Sequence, residues 1–181
     1  MAHQNVSFER FSECVPVRTS NTPRSTRKPL YTPEQRARRD ATRWTLVQGI
    51  LAPIQLLVFL ISLGLVIRTL VTGEGAEIAA ASIFAKTLIL YTIMITGAIW
   101  EKVVFDKYLF AEAFYWEDVF SMLVIALHTA WLAAWYFEWG TPTGQLLIAL
   151  AAYATYCINA TQFLLKLRAA RLDMAAADAA A

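Results

Sequence analysis

Four long apolar runs divide the chain. Leu46–Ile67 has only Gln48, Gln55 and Ser62 as clearly polar members, and Ile78–Trp100 is broken by one charge, Lys86. Val119–Phe137 and Leu146–Leu165 carry no charge. At about 1.5 Å per residue, each run reaches roughly 28–34 Å as a helix, which matches a hydrocarbon core of about 30 Å. Lipid offers no hydrogen bonds to a bare backbone, so spans of this length are predicted to be helical. The pattern predicts an all-α fold, an integral membrane bundle of four transmembrane helices over about 44–71, 78–101, 118–138 and 146–167, inside a domain covering 44–172.

The flanks read differently. Thr32 as N-cap and Pro33 at the first helical position predict a basic helix over Pro33–Arg43, lying on the cytoplasmic surface within segment 29–43. Residues 1–28, rich in Ser, Thr, Pro and Arg, are expected to be a disordered basic extension, and 173–181 an Ala-rich tail. Pro53 falls inside the first span and denies the Gly49 carbonyl its usual donor, so a kink is expected there.

Basic residues orient the bundle. Nine precede Trp44, Lys102 and Lys107 lie in the middle connection, and Lys166, Arg168 and Arg171 follow the last span. The loops Thr72–Glu77 and Gly140–Gln145 carry none. The positive-inside rule then places both termini in the cytoplasm. Trp44, Trp100, Trp116 and Trp139 fall near span ends, as an aromatic belt requires. The net charge of +2 in 181 residues is mostly this asymmetry and is no nucleic-acid footprint. With 57% hydrophobic residues and a mean hydropathy of +0.45, the composition agrees with a membrane protein. Cys14 and Cys157 are too far apart in sequence and context for a disulfide framework or a metal spacing.

The polar residues inside the spans are the candidates for chemistry. Gln48, Gln55, Ser62 and Thr69 recur every seven residues on one face, either as interhelical glue or as substrate contacts. Lys86, Leu90, Ile93, Gly97 and Glu101 share a face of the second span, and the Lys86 stem is expected to snorkel towards the outer end. In the third span Glu117, Ser121 and His128 lie on one side and predict a pocket wall, while Asp118 points away and is expected to begin the helix. Thr155, Asn159, Gln162 and Lys166 form a stripe on the fourth span, flanked by Tyr153 and Tyr156. No P-loop, dinucleotide fingerprint or nucleophile elbow is present.

Four segments, WTLVQGILAPIQLLVFLISLGLVIRTL (Trp44–Leu70), YTIMITGAIWEKVVF (Tyr91–Phe105), FYWEDVFSMLVIALHTA (Phe114–Ala130) and AAYATYCINATQFLLKLRAARL (Ala151–Leu172), together resemble the 2-vinyl (3-vinyl) bacteriochlorophyllide hydratase family. The resemblance runs from about Pro29 to Leu172 and leaves residues 1–28 outside. It implies addition of water across the C3 vinyl group of a chlorophyllide to give a 1-hydroxyethyl group. It also implies a magnesium chlorophyllide substrate, a bacterial inner or intracytoplasmic photosynthetic membrane and no cofactor beyond the substrate's own magnesium. Membrane lipid, other enzymes of the pathway and a second copy of the chain are the expected partners.

Hydration of a vinyl arm needs a proton for the terminal carbon and an oriented water for the adjacent cation. Glu101, Glu117 and Asp118 are the candidate acids. His128 is either the base that activates water or an axial ligand to the substrate's magnesium. Gln48, Gln55, Ser121, Tyr156, Asn159, Gln162 and Lys166 are the candidate substrate contacts. The rival reading is a non-enzymatic pigment-binding or assembly subunit of a photosynthetic complex, with His128 holding pigment permanently. A transporter is disfavoured because no inverted repeat is visible.

Overall fold

A computed structural model describes residues 30–178, so the expected 1–28 extension lies outside the described residues. Within them the chain is entirely helical: α1 (Pro33–Ala41), α2 (Arg43–Thr72), α3 (Ala76–Phe105), α4 (Tyr115–Tyr136) and α5 (Pro142–Asp178). Four of these, α2 to α5, are long and apolar enough to cross a membrane.

Local chemistry explains most helix ends. The Thr32 hydroxyl accepts from the Gln35 N–H at 3.3 Å, while the Gln35 side chain accepts from the Thr32 N–H at 2.9 Å. This reciprocal cap starts α1. The helix stops at Ala41, short of the expected Arg43, because Thr42 turns extended and accepts from the Trp44 N–H to cap α2. α2 runs through Pro53 as one continuous helix and closes on Gly73, whose φ of 75° only glycine adopts freely. α3 continues past Glu101 to Phe105. There Asp106 closes it in the left-handed region, held by Lys102 Nζ at 2.7 Å. That hydrogen bond keeps the Asp106 carboxyl below its ordinary pKa. α5 runs beyond 167, and the expected tail is still helical to Asp178.

The four long helices alternate in direction. α2 pairs with α3 and α4 with α5 along their lengths, and the two hairpins meet along a less extensive seam. The seam core contains Phe59, Val66, Ile83, Leu90, Val124, Trp131 and Tyr153, all buried. Among the outward residues, Leu46, Leu57, Leu60, Ile61 and Ile95 are more than half exposed, as a lipid-facing surface requires. At the end of the bundle that carries α1, Trp100, Phe105, Phe114 and Tyr31 pack ring against ring. Phe114 also stacks on Phe163 of α5. This aromatic plug fastens the connection between α3 and α4 over the helix ends, and so fixes the acidic side chains beneath it.

Candidate active site

Ionisable side chains are buried in the bundle at two levels. The first lies under the aromatic plug, where α3 ends and α4 begins. Glu101, Glu117 and Asp118 are 6%, 6% and 3% exposed. The Phe110 N–H donates to Asp118 Oδ2 at 2.7 Å, and the Ala111 N–H donates to Glu101 Oε2 at 3.4 Å. The backbone of the α3–α4 connection therefore orients both carboxyls, and Phe110 adopts a φ of 59° in doing so. The Glu101 and Asp118 carboxyls also lie beside each other across the α3–α4 contact. Asp118 thus does more than begin its helix.

Glu117 has a different partner. Lys166 Nζ of α5 donates to its Oε2 at 2.6 Å and also to the Ala113 carbonyl, and lies 4.9 Å from the centre of the Phe114 ring. A cleft of about 400 Å³ opens on this ion pair, lined also by Leu30, Gln162 and Leu165. One turn further along α4, Ser121 Oγ accepts from Asn159 Nδ2 at 2.8 Å.

The second level lies deep in the bundle. Lys86 does not snorkel: it is fully buried, and its Nζ meets His128 Nε2 at 2.8 Å. An outward path is closed to it because α3 turns Lys86 into the seam, where Tyr156, Tyr153 and Phe59 present ring faces at 4.3, 5.1 and 5.9 Å. The His128 Nδ1–H donates to the Val124 carbonyl at 2.7 Å, so both ring nitrogens are engaged. Ser62 and the Tyr153 hydroxyl, 2.5 Å apart, complete the level.

Glu117 and His128 share a face as the spacing predicts, but eleven residues separate them by about 16 Å along the axis. They cannot serve one small reacting group together. Of the remaining candidate contacts, Gln48 donates to Thr96 Oγ1 at 2.8 Å and to the Ile93 carbonyl, joining α2 to α3 as glue. Gln55 is 2% exposed, and neither polar atom of its side chain has a protein partner among the described residues. Tyr156 lies on Lys86, and Asn159 and Gln162 face the bundle. Among the described residues no three His, Cys, Asp or Glu side chains converge as a metal site.

Sequence reasoning missed three pairings of ionisable groups: Glu101 with Asp118, Lys86 with His128, and Glu117 with Lys166. Depth was the available signal for the second. Lys86 lies ten residues from the start of α3 and His128 eight from the end of α4, so antiparallel helices bring them level.

The chain matches known proteins over most of its length. It is 70% identical over 158 residues to the 2-vinyl bacteriochlorophyllide hydratase of Cereibacter sphaeroides, covering 87% of this chain and 98% of that one. It is 66% identical over 161 residues to the protein of the same name from Rhodobacter capsulatus, covering 88% and 93%. No solved structure matches. The family model for 2-vinyl bacteriochlorophyllide hydratase matches residues 31–169, and the chain belongs to that family.

Proposed function

We propose that this protein is a membrane hydro-lyase that adds water across the vinyl group of a bacteriochlorophyllide, giving a 1-hydroxyethyl group in bacteriochlorophyll biosynthesis. The observation that carries the mechanism is the pair of neighbouring carboxyls Glu101 and Asp118, buried beneath an aromatic plug and each held by a loop N–H. The protonated member donates to the terminal vinyl carbon. The cation on the adjacent carbon is delocalised into the macrocycle, water adds there, and its surplus proton returns to the carboxylate. Carboxyls held by the backbone N–H groups of Phe110 and Ala111 are positioned for both transfers, and acid–base steps of this kind contribute about 10²–10⁴-fold.

The reaction is redox-neutral, so no cofactor is called for beyond the magnesium that the substrate carries. The cleft at Glu117, Gln162 and Lys166 is the proposed mouth, with the Lys166 ammonium suited to the carboxylate edge of the pigment. The macrocycle body would lie against the lipid-facing side of the α1 end. The basic residues of α1 support a cytoplasmic or intracytoplasmic face of the bacterial inner membrane for this end, with both termini there. Neighbouring enzymes of the pathway and a second copy of the chain are the proposed partners, as they would spare a poorly soluble pigment from crossing water.

His128 as magnesium ligand or permanent pigment holder is the weaker reading, because Lys86 and Val124 already engage both ring nitrogens. The test is incubation of membranes holding the protein with 2-vinyl bacteriochlorophyllide in ¹⁸O-labelled water. Mass spectrometry should show one labelled water added per pigment. Pigment retained unchanged would contradict the proposal.

A further inference from the structure

One polar side chain on the wall of the Glu117 cleft is left unpaired. Gln162 lines this cleft together with Lys166, and Gln162 Oε1 is buried without a hydrogen-bond partner among the described residues. Buried amides are normally satisfied, and an acceptor left without a donor costs free energy. The neighbouring donors are committed elsewhere. Asn159 Nδ2 donates to Ser121 Oγ, and Lys166 Nζ donates to Glu117 Oε2 and to the Ala113 carbonyl. Asn159 Oδ1 is unpaired as well, but Asn159 is tied to Ser121 and does not line the cleft.

The kind of atom left unpaired indicates the guest. An amide oxygen has lone pairs only, so it calls for an electropositive partner. A magnesium bacteriochlorophyllide offers few of these. Its four ring nitrogens are bound to the metal and carry no N–H, and its rim presents carbonyl and carboxylate oxygens, which accept. The magnesium itself is the exception. The ring fills its equatorial positions and leaves its axial faces open, and as a hard cation it is suited by oxygen ligands, carbonyl oxygens included. His128 is closed to this role because Lys86 and Val124 engage both its nitrogens.

Position agrees with chemistry. Lys166 follows Gln162 by four residues, so the two side chains share a face of α5, about 6 Å apart along the axis. A macrocycle whose carboxylate edge meets Lys166 thus has its centre at the level of Gln162, one turn further in. Leu165, which also lines the cleft and is 61% exposed, offers apolar surface to the ring. The terminal torsion of a glutamine is broad and roughly two-fold, so a turn of the amide presents Oε1 to the cleft as pigment enters.

We infer that the Gln162 amide oxygen is the axial ligand to the magnesium of the bacteriochlorophyllide. This deepens the hydratase reading and rests on it for the identity of the pigment. Lys166 takes the edge of the macrocycle and Gln162 its centre, and two contacts on one helix face fix its orientation beside the acid level. No covalent bond of the pigment is made or broken in this step.

The test compares binding of two pigments, 2-vinyl bacteriochlorophyllide and the same macrocycle with its magnesium replaced by two protons. Full-length wild type and Gln162→Leu in lipid nanodiscs are titrated with each, and hydration of the magnesium pigment is followed separately. Wild type should bind the magnesium pigment at least 10-fold more tightly than the metal-free one. Gln162→Leu should lose at least 10-fold for the magnesium pigment and stay within 3-fold for the metal-free one, whose binding also reports that the variant is folded. A wild type without preference for the metal overturns the inference. So does a variant that keeps the preference, or one that loses both pigments alike, which would make Gln162 a support of the cleft. A wild type that binds with the expected preference but never hydrates overturns the hydratase reading and leaves the ligand in place.

Discussion

The acid level and the lysine–histidine level are both buried, both polar and both built across the α3–α4 contact, yet they differ in what they leave available. Glu101 and Asp118 sit at helix ends and are oriented by two loop N–H groups, and Glu117, next to Asp118 in the chain, lines a cleft. Lys86 and His128 sit mid-helix, spend their polar atoms on each other and on Val124, and are walled by three aromatic rings. In the proposed mechanism one level keeps a transferable proton near an entrance, while the other closes on itself. Burial of an ionisable group inside a membrane thus suggests function, but the partners decide which function.

The strongest way to break this comparison is at the acids. Glu101→Gln and Asp118→Asn preserve volume and should each lower kcat for hydration by 10²-fold or more, with KM nearly unchanged, as steady-state assays would show. At the inner level the expected effect is on stability. His128→Leu strands the Lys86 amine in the seam and should cost about 1–3 kcal/mol by thermal or denaturant unfolding in detergent. Adding Lys86→Met should restore most of that loss, a coupling that two independent residues would not show. The double variant should retain hydration within 10-fold.

Glu117 sharpens the contrast within the acid level. Its carboxylate is paired with Lys166, so Glu117→Gln and Lys166→Met should raise KM up to about 10-fold and change kcat less. A 10²-fold fall in kcat for Glu117→Gln would move the acid to that residue. The smallest effect belongs to Gln48. Its bonds to Thr96 and Ile93 are glue, and Gln48→Leu should cost about 0.5–1.5 kcal/mol of stability with hydration within 3-fold.

The sequence made the helices legible because lipid leaves the backbone no alternative, and the Thr32 cap was legible because its chemistry is local. The inward stripe of Gln55, Ser62 and Thr69 was readable from its seven-residue period, and all three are buried. Membership of the family followed from long matching segments. Pairings between helices were not readable in the same way. Asp118 points roughly a quarter-turn away from Glu117 on the helix, which hid its approach to Glu101 on another one. Lys86 looked free to snorkel because a single helix does not reveal which side its neighbours cover. The unpaired atoms of Gln55 were equally invisible, since a glutamine in a stripe of glue residues resembles its satisfied neighbours.

The central claim is that the acid level, and not the lysine–histidine level, supplies the reacting proton. It is tested most directly by single-turnover hydration of 2-vinyl bacteriochlorophyllide in matched membranes containing Glu101→Gln or the Lys86→Met/His128→Leu double variant. The account predicts a rate at least 10²-fold below wild type for Glu101→Gln and within 10-fold for the double variant. The reverse order, with Glu101→Gln near wild type and the double variant inactive though folded, would contradict it.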